Sequence, residues 1–219
     1  MPRLLFEKTG NAVWISHLDL MRVFQRSFKR AGLPLTHTQG FNPRPSVSIA
    51  LPLSVGVYSK CELLDFDLDG CEATCEEIKE KLNNALITGV KVIEVYNDGR
   101  KIRDLSLLQC DISLQYGNVL PDDAAEKLAA LFAQNEVVVP KKTKNGIQDQ
   151  NIITMIRKLN IQRVGEQELV INTLICCQNP TLNPAQIPLA IQTYVPELAP
   201  EHCVCSRVEV YDINEKIFR

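Results

Sequence analysis

The chain has 219 residues, of which 45% are hydrophobic, 23% charged and 6% aromatic, a globular composition for one or two domains that excludes disordered, collagen-like and disulfide-scaffold classes. No apolar run reaches the ~18 residues of a membrane span, and Glu7 and Lys8 stand where a signal peptide needs its apolar stretch, so a cytoplasmic protein is expected. The net charge of −2 hides a polarity: residues 1–60 hold eight Lys/Arg against two acids, +6, and the remaining 159 residues carry −8, which directs the search for an anionic partner to the N-terminal segment.

Residues 3–8 (RLLFEK) predict a first strand. Ser16, with Asp19 three residues on, predicts a helix start, and Gly32 followed by Pro34 predicts its end. Leu20, Met21, Phe24, Phe28 and Ala31 recur at helical spacing, while Arg22, Arg26, Lys29 and Arg30 fall nearly opposite. The helix therefore carries one apolar face and one basic ridge. Alternation over residues 46–53 predicts a strand ending near Pro52, and alternation of Leu64, Phe66 and Leu68 with Asp65, Asp67 and Asp69 predicts another with an acidic face. A second helix over 75–85 and a strand over 90–96 complete a β-α-β-β-α-β order.

The second half repeats that order. Strands are predicted at 108–116, 136–140 (EVVVP), 168–177 and 204–212, with helices over 121–134 and within 183–193. The segment after EVVVP is read as a basic insertion near 141–160, carrying Lys141, Lys142, Lys144, Arg157 and Lys158. The fold class expected is α+β: two tandem ferredoxin-like domains, 1–99 and 105–219.

The least generic stretch is ISHLDLMRVFQRSFKRAGLPLTHTQGFNPRPSVSIALPLSVGV, residues 15–57. In GFNPRP, Pro43 and Pro45 push Asn42 and Arg44 toward extended geometry, so the loop is preset. Two readings of it stand side by side. Phe41 stacks a base while Arg44 and the helix cations hold phosphates, or Phe41 packs under the sheet and the loop is structural. The candidate binding set is His17, Arg22, Arg26, Lys29, Arg30, Gln39, Gly40, Phe41, Asn42, Pro43, Arg44 and Pro45. His17 and His37 are of the type needed for acid/base cleavage of RNA, although capping or core positions suit them better, and no catalytic residue is assigned.

Eight cysteines are too dilute for a disulfide framework. Cys71 and Cys75 form a C-x3-C, but Ile78 stands where a radical SAM cluster motif needs its third cysteine, and Cys203 and Cys205 have no zinc-site spacing. Neither metal nor cofactor is expected, and the thiols are read as unligated. Asp65, Asp67 and Asp69 are read as a solvated face rather than a cation site.

The 15–57 stretch closely resembles the N-terminal signature of the bacterial radical-SAM-associated domain of unknown function. In that family the domain is fused behind a radical SAM protein with a cobalamin-binding-type domain, or is encoded beside one, often near genes for ribosomal proteins and a ribonuclease of the RNase G type. The resemblance spans essentially the whole chain. It departs at Arg44, where a histidine is usual, and around CCQNPTLNP (176–184). Arginine neither shuttles protons near neutrality nor ligates metal, but it does contact anions. The resemblance implies a noncatalytic recognition or accessory protein that presents RNA (tRNA or rRNA) or a ribosome-associated substrate to a separate radical SAM enzyme encoded nearby. Neither DNA nor a membrane is an expected partner. Two alternatives remain open: a metal-independent endoribonuclease of the CRISPR repeat-processing type, similar in its tandem architecture, and a protein–protein adaptor with no nucleic acid.

Overall fold

The computed structural model describes residues 1–143 and 146–219, so Lys144 of the basic insertion lies outside the described residues. The fold is mixed α+β and divides into two compact units, residues 1–102 with Arg219, and residues 103–218.

In the first unit the elements are β1 (Arg3–Lys8), a 3-10 turn (Gly10–Trp14), α1 (His17–Arg30), β2 (Val47–Ile49), β3 (Tyr58–Phe66), α2 (Cys75–Ala85) and β4 (Val90–Tyr96). The strands lie in the order β4-β1-β3-β2, antiparallel throughout. The two helices close over one sheet face, because their apolar stripes match its inward residues: Leu4 and Phe6 of β1, Leu64 and Phe66 of β3 and Val92 of β4 pack with Leu20, Phe24, Phe28, Ile78 and Leu82. Phe6 meets Phe24 edge-on at 4.7 Å between ring centroids, and Phe28 lies 5.0 Å from Phe66. Thr74 and Glu77 form a reciprocal capping box at the start of α2.

The expected strand over 46–53 is cut short at Ile49, since Pro52 has no N–H for the ladder, yet Leu51 and Leu53 remain buried. The expected acidic strand starts earlier, at Tyr58, and stops at Phe66. Its carboxylates are also committed separately: Asp65 accepts from Arg3 Nε at 2.6 Å, and Asp67 accepts from the Thr36 hydroxyl at 3.1 Å.

The second unit contains β5 (Leu107–Gln115), α3 (Ala124–Phe132), β6 (Val138–Thr143), β7 (Gly146–Asn151), β8 (Ile156–Gly165), β9 (Glu168–Cys176), α4 (Gln186–Tyr194) and β10 (His202–Tyr211). Its antiparallel sheet runs β10-β5-β9-β8. Leu108, Cys110, Ile112 and Leu114 on β5, Leu169 and Ile171 on β9, and Leu128, Leu131, Ile187 and Ile191 on the helices are buried.

Here the expected strand at EVVVP is corrected. It enters a separate two-stranded ribbon, β6 with β7, and the sheet position expected for it belongs to β8, which starts inside the segment read as an insertion and runs past its end. The cause is local anchoring. Val138 donates its N–H to Tyr194 Oη at 2.9 Å and accepts from it at 3.1 Å, while Lys141 Nζ donates to the Thr181 carbonyl at 2.9 Å. These bonds fasten the ribbon to α4 and its preceding loop. Of the insertion's cations, Lys141 is used in this way and Lys158 pairs with Glu215, leaving Lys142 and Arg157 exposed.

Candidate nucleic-acid interface

The helix α1 begins as its sequence dictates. The Asp19 N–H donates to Ser16 Oγ at 3.2 Å, and the Ser16 hydroxyl donates to the Asp19 carboxylate at 2.7 Å. That hydrogen bond, followed by one from Arg22, holds the Asp19 carboxyl below the usual range. The apolar stripe is buried and Arg22, Arg26, Lys29 and Arg30 are exposed on the opposite side.

The four cations are not equivalent. Arg22 Nη1 donates to Asp19 at 2.8 Å. Arg30 Nη2 donates to the Ala85 carbonyl at 2.6 Å and to Ser27 Oγ at 3.0 Å, so it crosses to the last residue of α2. Among the described residues, the Arg26 and Lys29 side chains enter no hydrogen bond or ion pair. These two are the ridge's uncommitted charges.

The segment after α1 is a projecting hairpin. Its base is pinned: Thr36 donates its N–H to the Asp67 carbonyl at 3.0 Å, Asp69 to Pro34 at 2.9 Å, and Ser46 to Thr36 at 2.8 Å. Thr38 and Arg44 close the hairpin, with Thr38 N–H to the Arg44 carbonyl at 2.9 Å and Arg44 N–H to Thr38 Oγ1 at 3.1 Å. Gln39, Gly40, Phe41, Asn42 and Pro43 form the tip, all exposed. Gly40 has φ +137°, a conformation that side chains rarely adopt. Phe41 is 101% exposed, so it does not pack under the sheet.

Between α1 and this hairpin lies a cleft of about 310 Å³, lined by Gln25, Lys29, Leu33, Pro34, Leu35, His37 and Pro45. Lys29 thus belongs to both ridge and cleft, and Pro45 joins the cleft to the exposed Arg44. The cleft's other polar residue on α1, Gln25, and its apolar walls were absent from the candidate set. The signal for them is present, since Gln25 lies four residues before Lys29 and shares its flank, and Leu33-Pro34-Leu35 follows the helix as a short apolar run.

The two histidines do not share a site. His37 lines the cleft beside Gln25 and Lys29, whereas His17 opens α1 eight residues before Gln25, about 12 Å back along the axis. His17 Nδ1 is buried without a hydrogen-bond partner. Cys71 and Cys75 are half-buried, and Asn97 donates to Cys75 Sγ at 3.7 Å. Among the described residues no cluster of three His, Cys, Asp or Glu could hold a metal ion, and no helix is long and apolar enough to cross a membrane.

What the arrangement offers chemically is a notch with apolar walls that also takes in an amide, an imidazole and the uncommitted Lys29, on a unit whose hairpin carries a freely exposed aromatic ring. No curated protein matches the sequence. Among solved structures, a chain of a Cbf5–Nop10–Gar1 complex superposes with a TM-score of 0.52 at 8% identity, over 95% of this chain and 48% of that one. A chain of an H/ACA RNP bound to a substrate RNA containing 2′-deoxyuridine gives 0.51 at 7% identity, over 94% and 46%. The chain spans about half the length of these structures, and the likeness is one of fold. The family described as an uncharacterized protein conserved in bacteria (DUF2344) matches residues 2–184, taking in the basic helix, the hairpin and the cleft; the chain belongs to that family.

Proposed function

We propose that the protein binds single-stranded RNA with its first unit and serves as a noncatalytic recognition subunit beside a separate radical SAM enzyme. The observation that carries the RNA reading is the pairing of uncommitted cations with a free aromatic ring. Lys29 lines the cleft, and Arg26 three residues before it on α1 and Arg44 and Phe41 on the hairpin are exposed as it is. Cations for phosphates and an aromatic face for bases are what single-strand binding needs. A fold shared with a chain of an RNA-bound ribonucleoprotein is in keeping with this. The strand orders β4-β1-β3-β2 and β10-β5-β9-β8 support reading both units as ferredoxin-like, with the β6–β7 ribbon inserted in the second.

The radical SAM partnership rests on the sequence resemblance of residues 15–57 and on Ile78 standing in place of a third cluster cysteine. The separation of His17 from His37 speaks against a cleavage site built from both.

Fluorescence anisotropy with a labelled single-stranded RNA tests the first part. Affinity is expected to fall with log salt, and Arg26→Ala/Lys29→Ala/Arg44→Ala to reduce the slope by about 2, three contacts at roughly 0.7 each. Absence of binding at about 50 mM salt, or an unchanged slope in the triple variant, sinks the reading. Co-purification with the radical SAM protein encoded nearby tests the second part, and its failure leaves the RNA reading standing.

A further inference from the structure

The cleft between α1 and the hairpin has a shape that phosphate contacts alone do not call for. Leu33, Pro34, Leu35 and Pro45 give it apolar walls, of which Leu33 is 1% exposed. Its volume of about 310 Å³ lies at the lower end of small-ligand pockets, which run from ~300 to 1,000 Å³. Three polar groups interrupt those walls: the Gln25 carboxamide, the Lys29 ammonium and the His37 imidazole. A carboxamide both donates and accepts, so it matches the mixed donor and acceptor edge of a heterocycle.

Resting on the RNA reading above, we infer that this cleft is a pocket for one unstacked nucleobase of the bound strand. The base lies between the proline and leucine walls with its polar edge toward Gln25 and His37. Its flanking phosphates fall to Lys29 at the mouth, to Arg26 one turn back on the same helix and to Arg44 across the hairpin. Charge favours this occupant: an apolar protein side chain has no use for the uncommitted Lys29 in the cleft or for Arg26 and Arg44, which adjoin the lining residues Gln25 and Pro45 in sequence, whereas each base of a bound strand brings its phosphates. The walls are also preformed. The Pro34 carbonyl accepts from Asp69, and the Thr36 and Ser46 main chains are bonded to each other and to Asp67, so little ordering is needed on binding.

The test uses two labelled single strands of equal length, an ordinary RNA and a chemically stabilised abasic oligomer with the same phosphates. Both are titrated against the full chain carrying Phe41→Ala, which removes stacking at the tip from the comparison. The intact RNA is expected to bind about tenfold tighter than the abasic strand, the size of one base contact. Adding Gln25→Ala or Leu35→Trp is expected to erase most of that preference while leaving the salt slope unchanged. Gln25 is only partly buried, so Gln25→Ala keeps the test valid if the cleft-filling tryptophan disturbs folding. Equal affinity for the two strands, or a preference untouched by both cleft variants, overturns the pocket and leaves the RNA reading intact. Failure of both strands to bind at low salt, with the intact RNA also failing to bind the chain that keeps Phe41, overturns both.

Discussion

Arg30 donates to the carbonyl oxygen of Ala85 at 2.6 Å, joining the last residue of α1 to the last residue of α2. An arginine that looks like one more member of a basic ridge is therefore a helix-terminus clamp, sharing with the Ser27 hydroxyl, which donates to the same oxygen at 3.1 Å, a carbonyl at the negative end of the α2 dipole. Arg30→Ala is expected to destabilise the first unit by about 1 kcal/mol and to leave the salt slope of RNA binding unchanged. Arg26→Ala, four residues earlier, is expected to do the reverse. Urea denaturation and anisotropy on the two variants separate the roles, and a binding loss in Arg30→Ala equal to that in Arg26→Ala contradicts the assignment.

Asp19 holds Arg22, so neutralising it releases a cation onto the ridge. Asp19→Asn is expected to tighten RNA binding a few-fold at low salt and to do nothing at high salt, because the gain is a screened surface charge. The stability consequence follows from the depressed carboxyl: the cap's charge contribution is complete above the ordinary value of 3.8 and fades as pH falls through the lower folded-state value. Acid titration of the helix signal is expected to show this loss in the wild type and not in Asp19→Asn.

Arg3 is 4% exposed and its guanidinium pairs with Asp65 across the β1–β3 ladder. The guanidinium also interacts with Tyr96, so removing Asp65 takes away its carboxylate but not its surroundings. Asp65→Ala is expected to cost about 2 kcal/mol, read from the urea midpoint. A change within a few tenths of a kcal/mol shows that the ion pair adds nothing to stability.

Gly89 has φ +89°, and a Cβ there would lie 2.5 Å from the Thr9 carbonyl oxygen and 2.9 Å from the Ala12 Cβ. Both clashes are with fixed groups, since Thr9 also donates its N–H to the Gly89 carbonyl at 2.7 Å. Gly89→Ala is expected to destabilise by about 2–3 kcal/mol, with a matching fall in thermal midpoint.

Phe41 contributes nothing to the core, so Phe41→Ala is expected to leave the melting temperature unchanged while weakening RNA binding about tenfold. A melting temperature several degrees lower points instead to a packing role in solution.

Much of the first unit was legible because its signals are local. Ser16 and Asp19 announce the start of α1, and Leu20, Phe24 and Phe28 announce its buried face. The division of the ridge was not legible, because the partner of Arg30 lies 55 residues along the chain. Prolines in GFNPRP pointed to a stiff loop, but the exposure of Phe41 depends on a base pinned by residues 67 and 69. In the second unit, EVVVP carries a strong strand signal that says nothing about which ladder it joins. The true occupant, β8, shows Arg157, Lys158, Gln162 and Arg163 exposed, and reads as a polar insertion because only part of it faces the core.

The same β8 is the outermost strand of its sheet, with register shifts between Ile156 and Lys158 and again between Arg163 and Gly165. An open edge of ten residues is a template onto which the next polypeptide can zip, the first step toward fibrils. Two irregularities and the exposed Arg157 interrupt that template. What disguised the strand in the sequence also makes it a poor template: Arg157→Val with Lys158→Val is expected to trade its camouflage for a sticky edge.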